Sequence, residues 1–161
     1  MSALKDWLEE HGACENGARW ALATGCATIE EIWLRDDLKP VWRIWIATRE
    51  GMVSDRILRK FACACVRQVW HLLTDELSRN AVEVAERFAD GNATKEELEQ
   101  TYVAACFAAS FAASSADCSA GVAASSAASS AARVAASSAA YDAAREAQAN
   151  ILLELQPRLE V

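Results

Sequence analysis

"AASSAASSAARVAASSAA", residues 123–140, is the stretch whose reading decides the fold. A loose linker, a membrane span, a surface that orders water and a packed helix all have to be weighed. Alanine has the best helix propensity of any residue, and serine costs only a few tenths of a kcal/mol in its place, so a loose linker is disfavoured. Alanine stands at every fourth position from Ala104 through Ala108, Ala112 and Ala116 to Ala144. Each step of four overshoots a helical turn by about 40°, and ten such steps drift by about 400°. One straight helix cannot keep that stripe on one partner. The segment "SSADCSAG", residues 114–121, holds the residues that cap and turn a chain. The tract therefore predicts a helical hairpin over 95–113 and 122–155, with the break between. Its small side chains let helix axes approach to the low end of the usual 8–10 Å spacing. Each serine hydroxyl can bond back to a carbonyl of the preceding turn and be buried without a distant partner.

The competing readings lose on specific grounds. Between Gln100 and Arg133 the only charged residue is Asp117, which is length enough for a bilayer. That stretch is poor in Leu, Ile and Phe, is broken by serine pairs, and lacks aromatic anchors and a basic flank. A water-ordering array needs a regular exposed face, and the angular drift spoils one.

Working outward, the rest of the chain also reads as helices. Only two prolines and six glycines interrupt 161 residues. Residues 2–11 predict a short helix opened by Ser2, with Leu4, Trp7 and Leu8 on one face. Residues 15–24 predict another, closed by Gly25. "TIEE" (28–31) and "TKEE" (94–97) have capping-box form, with Thr28 and Thr94 as caps and Glu31 and Glu97 reaching back. In "KPVWRIWIATREG", Pro40 suits a first helical turn and Gly51 a left-handed exit. Val41, Trp42, Ile44, Trp45 and Ile46 point nearly all round the axis, which predicts a buried helix. Ser54 is expected to cap a long helix over 55–73, with Leu58, Phe61, Ala62, Cys65, Val69 and Leu72 inward. "TDELS" breaks it. The next helix runs to about Asp90 with Leu77, Ala81, Val84, Ala85 and Phe88 inward, and Gly91 stops it. No segment alternates with period two. The expected fold is all-α: one domain over 1–161, with Trp-rich short helices over 1–53, central helices over 54–93 and the Ala/Ser-rich hairpin over 94–161.

The net charge of −7 argues against nonspecific affinity for nucleic acid or anionic membrane. It is unevenly spread. Residues 35–67 carry eight Lys/Arg (Arg35, Lys39, Arg43, Arg49, Arg56, Arg59, Lys60, Arg67) against four acids, a local +4. Residues 75–99 carry eight acids against three bases, a local −5. Solvated helix faces explain such blocks. A bipolar surface that steers a partner explains them as well.

Reaction chemistry is hard to find. His11 lies at a helix end, where it complements the dipole. His71, beside Trp70, reads as a structural or rim residue. The acids at 30–31, 75–76 and 96–99 sit at helix starts, where the dipole favours them. No phosphate loop or GxGxxG is present. The opening "MSALKDWLEEHG" lacks the charged start and apolar run of a signal peptide, so the expected location is the cytoplasm. The six cysteines are then expected to be reduced, small buried residues, and no pair has CxxC spacing. No catalytic residue, metal or cofactor is expected, and the chain is not expected to be an enzyme.

The block "LRKFACACVRQVWHLLTDELSRNAVEVAERFADGNATKEEL" (58–98) resembles a family of bacterial and phage immunity proteins associated with contact-dependent and polymorphic toxin systems. The similarity lies in a Leu-Phe-Ala-Cys helix ending in Trp-His-Leu, then Ser-Arg-x-Ala-Val-Glu-Val-Ala-Glu-Arg, then Ala-Asp-Gly-x-Ala-Thr. It extends to "CENGARWALATGCATIEEIW", to "WRIWIATREG" and to the closing "AREAQANILLEL" (144–155). The family intersperses Arg, Trp or Glu among its tail alanines, whereas serine takes those places here. The resemblance implies a non-enzymatic inhibitor that binds and neutralises an effector or toxin protein. It assigns no functional residue.

The acidic run supplies the expected partner-binding face: Glu83, Glu86, Asp90, Glu96 and Glu97. Its partner would be a basic effector or toxin protein, one that binds nucleic acid in a variant of this reading, with no direct contact of this chain to nucleic acid or membrane. A phage anti-defence inhibitor of anti-CRISPR type would use the same mechanism against another victim. A self-assembling helical module, as monomer or homodimer, is the structural alternative. Circular dichroism in plain buffer is expected to show a predominantly helical chain, and a helix content well under half would overturn the packed-helix reading.

Overall fold

A computed structural model describes residues 3–68, 70–72, 76–108 and 138–159. The described residues form eight α-helices and no strand: α1 (Ala3–Glu10), α2 (Glu15–Ala23), α3 (Ile29–Trp33), α4 (Pro40–Ala47), α5 (Asp55–Arg67), α6 (Glu76–Ala89), α7 (Lys95–Ala108) and α8 (Ser138–Leu155). A single 3₁₀ turn, Trp70–Leu72, lies between α5 and α6. The all-α expectation holds. The turn expected at 114–121 and most of the 123–140 tract lie outside the described residues, as do Ser2 and Val69. The two described ends of the tract rest on different neighbours: α7 packs along α6, and α8 packs on α4 and α5.

Local signals place most helix ends. Thr28 Oγ1 accepts from Glu31 N at 3.4 Å, and the Glu31 carboxylate accepts from Ala27 N at 2.7 Å. The expected box is thus displaced by one residue at its second bond. At α7 it closes in full: Thr94 N donates to Glu97 Oε2 at 2.7 Å and Glu97 N donates to Thr94 Oγ1 at 3.2 Å. Pro40 occupies the first turn of α4. Gly25 and Gly91 adopt φ of 78° where α2 and α6 end, a conformation costly for any residue with a Cβ. Gly51 also has positive φ, but α4 has already ended at Ala47, so that glycine turns the loop into α5.

Three expected spans or faces need correction. Helix α5 stops at Arg67 rather than near 73, because the chain tightens into the 3₁₀ turn after Gln68. Ser54 opens α5 without a side-chain cap bond. On α6, Leu77 is 46% exposed; the buried residues there are Val84 and Ala89. Helix α4 is not buried all round, since Val41 is 48% exposed.

The core is built from the N-terminal half and the C-terminal helix. Leu4 and Leu8 of α1, Ile29, Ile32 and Trp33 of α3, Ile44, Ile46 and Ala47 of α4, Leu58, Phe61 and Cys65 of α5 and Leu152 of α8 form one cluster. Each large side chain among them contributes about 1.5–3 kcal/mol by leaving water. The C-terminal end is pinned to α3, where Trp33 Nε1 donates to Pro157 O at 3.3 Å.

Inside this core sits a cation that the sequence placed among solvated charges. Arg43 is 5% exposed, and its guanidinium donates to Trp33 O at 2.5 Å and to Arg35 O at 2.7 Å. It also lies over the Trp33 ring, 5.3 Å from the centroid. Burial pulls its pKa below the ordinary arginine value, and Asp36 pushes back. A guanidinium stays charged regardless. It satisfies carbonyls at the end of α3 that have no intrahelical partner. Arg43→Ala is expected to cost about 3 kcal/mol in urea unfolding, because both carbonyls lose a charged donor. Arg43→Lys, which cannot fork to two carbonyls, is expected to fall between.

Candidate interaction surfaces

The first surface begins with a stripe on α5. Arg56, Lys60, Cys63 and Arg67 recur at threes and fours, opposite the core-facing Leu58, Phe61 and Cys65. Helix α6 packs against this stripe. Arg56 Nε donates to Ala89 O at 2.7 Å, and its Nη2 lies 3.9 Å from Asp90 Oδ1. Lys60 Nζ meets Asp90 Oδ1 at 2.5 Å. Arg67 forks onto Glu86, with Nε to Oε1 at 2.8 Å and Nη2 to Oε2 at 2.6 Å. The Arg67 guanidinium also lies 3.8 Å from the centroid of Trp70, and Arg79 approaches the same ring at 5.4 Å. An open trough of about 630 Å³ runs between the two helices, lined by Lys60, Cys63, Ala64, Arg67, Glu86 and Asp90 among others.

The two charge blocks are partly spent on each other: Arg56, Lys60 and Arg67 of the basic one meet Glu86 and Asp90 of the acidic one. Of the eight basic residues, Arg35 forks onto Asp37 at 2.7 and 2.9 Å. Arg43 is buried as described. Arg49 bonds Trp45 O and Thr48 Oγ1. Arg56, Lys60 and Arg67 face α6. Arg59 lies over Phe88 and close enough to Cys63 to act on its thiol, and Lys39 lies over Trp42.

The five expected partner-binding acids divide accordingly. Glu86 and Asp90 are held by α5. Lys60 and Arg56 draw the Asp90 carboxyl below its ordinary range. Glu83 is exposed on α6. Glu96 is exposed in the first turn of α7, where its backbone N–H and Thr94 lower its pKa. Glu97 is exposed but occupied by the α7 cap. The structure thus brings Glu86 and Asp90 together with cations and leaves Glu83, Glu96 and Glu97 toward water.

The described thiols and imidazoles lie apart in different settings. Burial pushes both Cys63 and Cys65 up to about 12, with Glu86 adding to the first and Arg145 drawing the second back. Both stay neutral thiols at neutral pH. Cys14, expected to be buried, is exposed, and its sulfur accepts from Gly17 N at 3.4 Å as the cap of α2. The His11 ring stacks on Trp7 at 4.2 Å with Nδ1 2.9 Å from Trp7 O, and His71 is exposed on the 3₁₀ turn. Among the described residues no group of three His, Cys, Asp or Glu could hold a metal ion. No described helix is long and apolar enough to cross a membrane.

A second surface, which sequence reasoning passed over as packing, lies between α2 and α4. Trp20 and Trp42 meet at 5.3 Å with a 44° tilt. Gly17 lies against the Trp42 ring, where a Cβ would make an ordinary contact at 3.6 Å. Lys39 lies 4.8 Å over Trp42 and Arg35 5.8 Å over Trp20. The only sequence signal was the cluster of tryptophans beside cations, which core packing explains equally well.

Fold and surfaces together define an all-α protein whose conspicuous features are charged and aromatic faces. No family model, curated protein or solved structure matches the chain.

The α5–α6 contact has a measurable signature. The folded-state pKa of Asp90 lies below the ordinary 3.8. Its stabilising contribution is therefore complete above that value and is lost as pH falls through the depressed one. An NMR titration is expected to place the Asp90 midpoint below 3.8, and Lys60→Met to move it upward. An ordinary midpoint in both forms would mean that the contact does not persist in solution.

Proposed function

We propose that the protein is a non-enzymatic inhibitor that docks on a basic effector protein in the cytoplasm and neutralises it, as a toxin-immunity protein does. The observation that carries this reading is the set of carboxylates left to solvent on two helices packed along each other: Glu83 on α6, and Glu96 and Glu97 on α7. Glu86 and Asp90 brace the same pair of helices from the α5 side, so the acidic face is backed by a fixed scaffold. A preorganised acidic face accelerates encounter with a basic partner and rejects acidic ones. Glu83, Glu96 and Glu97 are the residues of the expected set best placed for contact. Glu86 and Asp90 act as positioning residues. The resemblance of residues 58–98 to immunity proteins favours the same class. An anti-defence inhibitor of a nucleic-acid-binding complex would use the same face.

The test starts with affinity capture of the tagged protein from its native host lysate, at low and moderate salt, read by mass spectrometry. One stoichiometric, salt-sensitive partner is expected. The captured pair is then measured with Glu83→Lys and Glu96→Lys combined with Glu97→Gln, which keeps the α7 cap. Affinity is expected to fall at least about tenfold. Unchanged affinity would remove the acidic face from the interface. A chain recovered only with itself would favour self-assembly over inhibition.

A further inference from the structure

The eight-cation block of residues 35–67 leaves one ammonium in an unusual position. Lys39 stands at the start of α4, exposed, with its Nζ on the Trp42 ring and no ion pair among the described residues. Beneath it is a notch of about 540 Å³ between α2 and α4, lined by Asn16, Arg19, Trp20, Ala23, Lys39 and Trp42 among others. Its floor is apolar: the two half-buried indoles meet at a tilt and do not close over each other. Its rim is cationic and polar. Arg19 is held only by Glu15, an exposed i,i+4 partner on its own helix, and such a pair is weak enough to exchange. Leu22 and Val41, on the same two helices, are 43% and 48% exposed.

The geometry points to this notch as a second interaction surface, one that seats an acidic segment of a protein partner. An apolar side chain of the segment would rest on the Trp20–Trp42 floor, and a carboxylate would take Lys39, with Arg19 next in reach. The argument is charge complementarity at a preformed aromatic floor. Tryptophan and arginine are among the residue types that dominate binding energy at interfaces, and the ring face holds the Lys39 ammonium in place beside the floor. Nucleic acid fits less well. A cation lies over each indole and the rings turn toward each other, so stacking on a base would require displacing one of those contacts. The notch is distinct from the acidic face of α6 and α7 and stands or falls independently of it.

A titration of the full chain with the hexapeptide Glu-Leu-Asp-Leu-Glu-Leu tests this, followed by NMR of the indole N–H signals. The signals of Trp20 and Trp42 are expected to move saturably while that of Trp33, buried against Pro157 O, stays. An apparent Kd at or below about 1 mM is expected, weakened at least about tenfold by Lys39→Glu and left unchanged by Lys95→Gln, which removes an exposed cation on α7. No movement up to about 5 mM peptide would overturn the proposal. So would equal binding of the Gln/Asn counterpart of the peptide, which would show that charge plays no part. Stronger movement with oligothymidylate would replace it with a nucleic-acid site. Movement on raising the protein concentration alone would replace it with a contact between copies of this chain.

Discussion

Helix α5 has to satisfy two neighbours of opposite chemistry at once. One face sends Leu58, Phe61 and Cys65 into the apolar core; another sends Arg56, Lys60 and Arg67 to the acids of α6. A 13-residue helix with strictly segregated faces can do both, since threes and fours keep each set in line. Helices α6 and α7 depend on the second face. Helix α6 contributes only Val84 and Ala89 as fully buried apolar residues, and α7 rests on α6. Hydrophobic burial alone would hold this pair of helices weakly. The ion pairs with Glu86 and Asp90 give it a register, and Arg56 on Ala89 O satisfies a carbonyl at the end of α6 where a cation is favoured.

That division has a functional consequence. Charge used for holding helices together is not available for holding a partner. Counting residues along the chain makes a +4 block and a −5 block look like two poles, yet three bases of the first and two acids of the second are spent on each other. Glu83, Glu96 and Glu97 on α6 and α7, and a lysine over a tryptophan at the start of α4, are among the charges that stay exposed. Burial of Arg43 removes a further cation from the surface and puts it to work as a cap.

The parts of this legible in the sequence were those governed by neighbours along the chain. Thr94 and Glu97, Pro40, and Gly25 and Gly91 act within a turn of themselves, so local chemistry identified them. The parts missed depend on contacts across the fold. Arg43 looks like any arginine until the end of α3 is known to lie beside it. Leu77 fits the inward stripe of α6 by spacing, but the stripe rotates past the contact at that end of the helix. The end of α5 at Arg67 was hidden because Val69 and Leu72 continue the apolar period while the backbone tightens. The candidate acids were found by composition, and only their pairing with Lys60 and Arg67 separates scaffold from exposed face. The Trp20–Trp42 notch was hidden by its own ingredients, since tryptophans beside cations are also what cores contain.

Helix α8 shows where the alanine stripe stops governing the packing. The fourfold series reaches Ala144 and would next fall on Gln148 and Leu152. Among residues 143–155 the buried ones are Arg145, Gln148, Ala149 and Leu152, at spacings of three, one and three, which follow 3.6 residues per turn. The fourfold positions 148 and 152 thus stay in the contact but are no longer alanine, and Ala144 itself is only half-buried. Arg145 and Ala149, each one residue past a fourfold position, widen the face as a drift of about 40° per step requires. Alanine's role on this helix is therefore permissive. It keeps the backbone helical and slim enough to lie on α4 and α5, while Leu152, fully enclosed, supplies the apolar anchor and the enclosed Gln148 accepts from Arg145 Nη1 at 3.3 Å within the same helix.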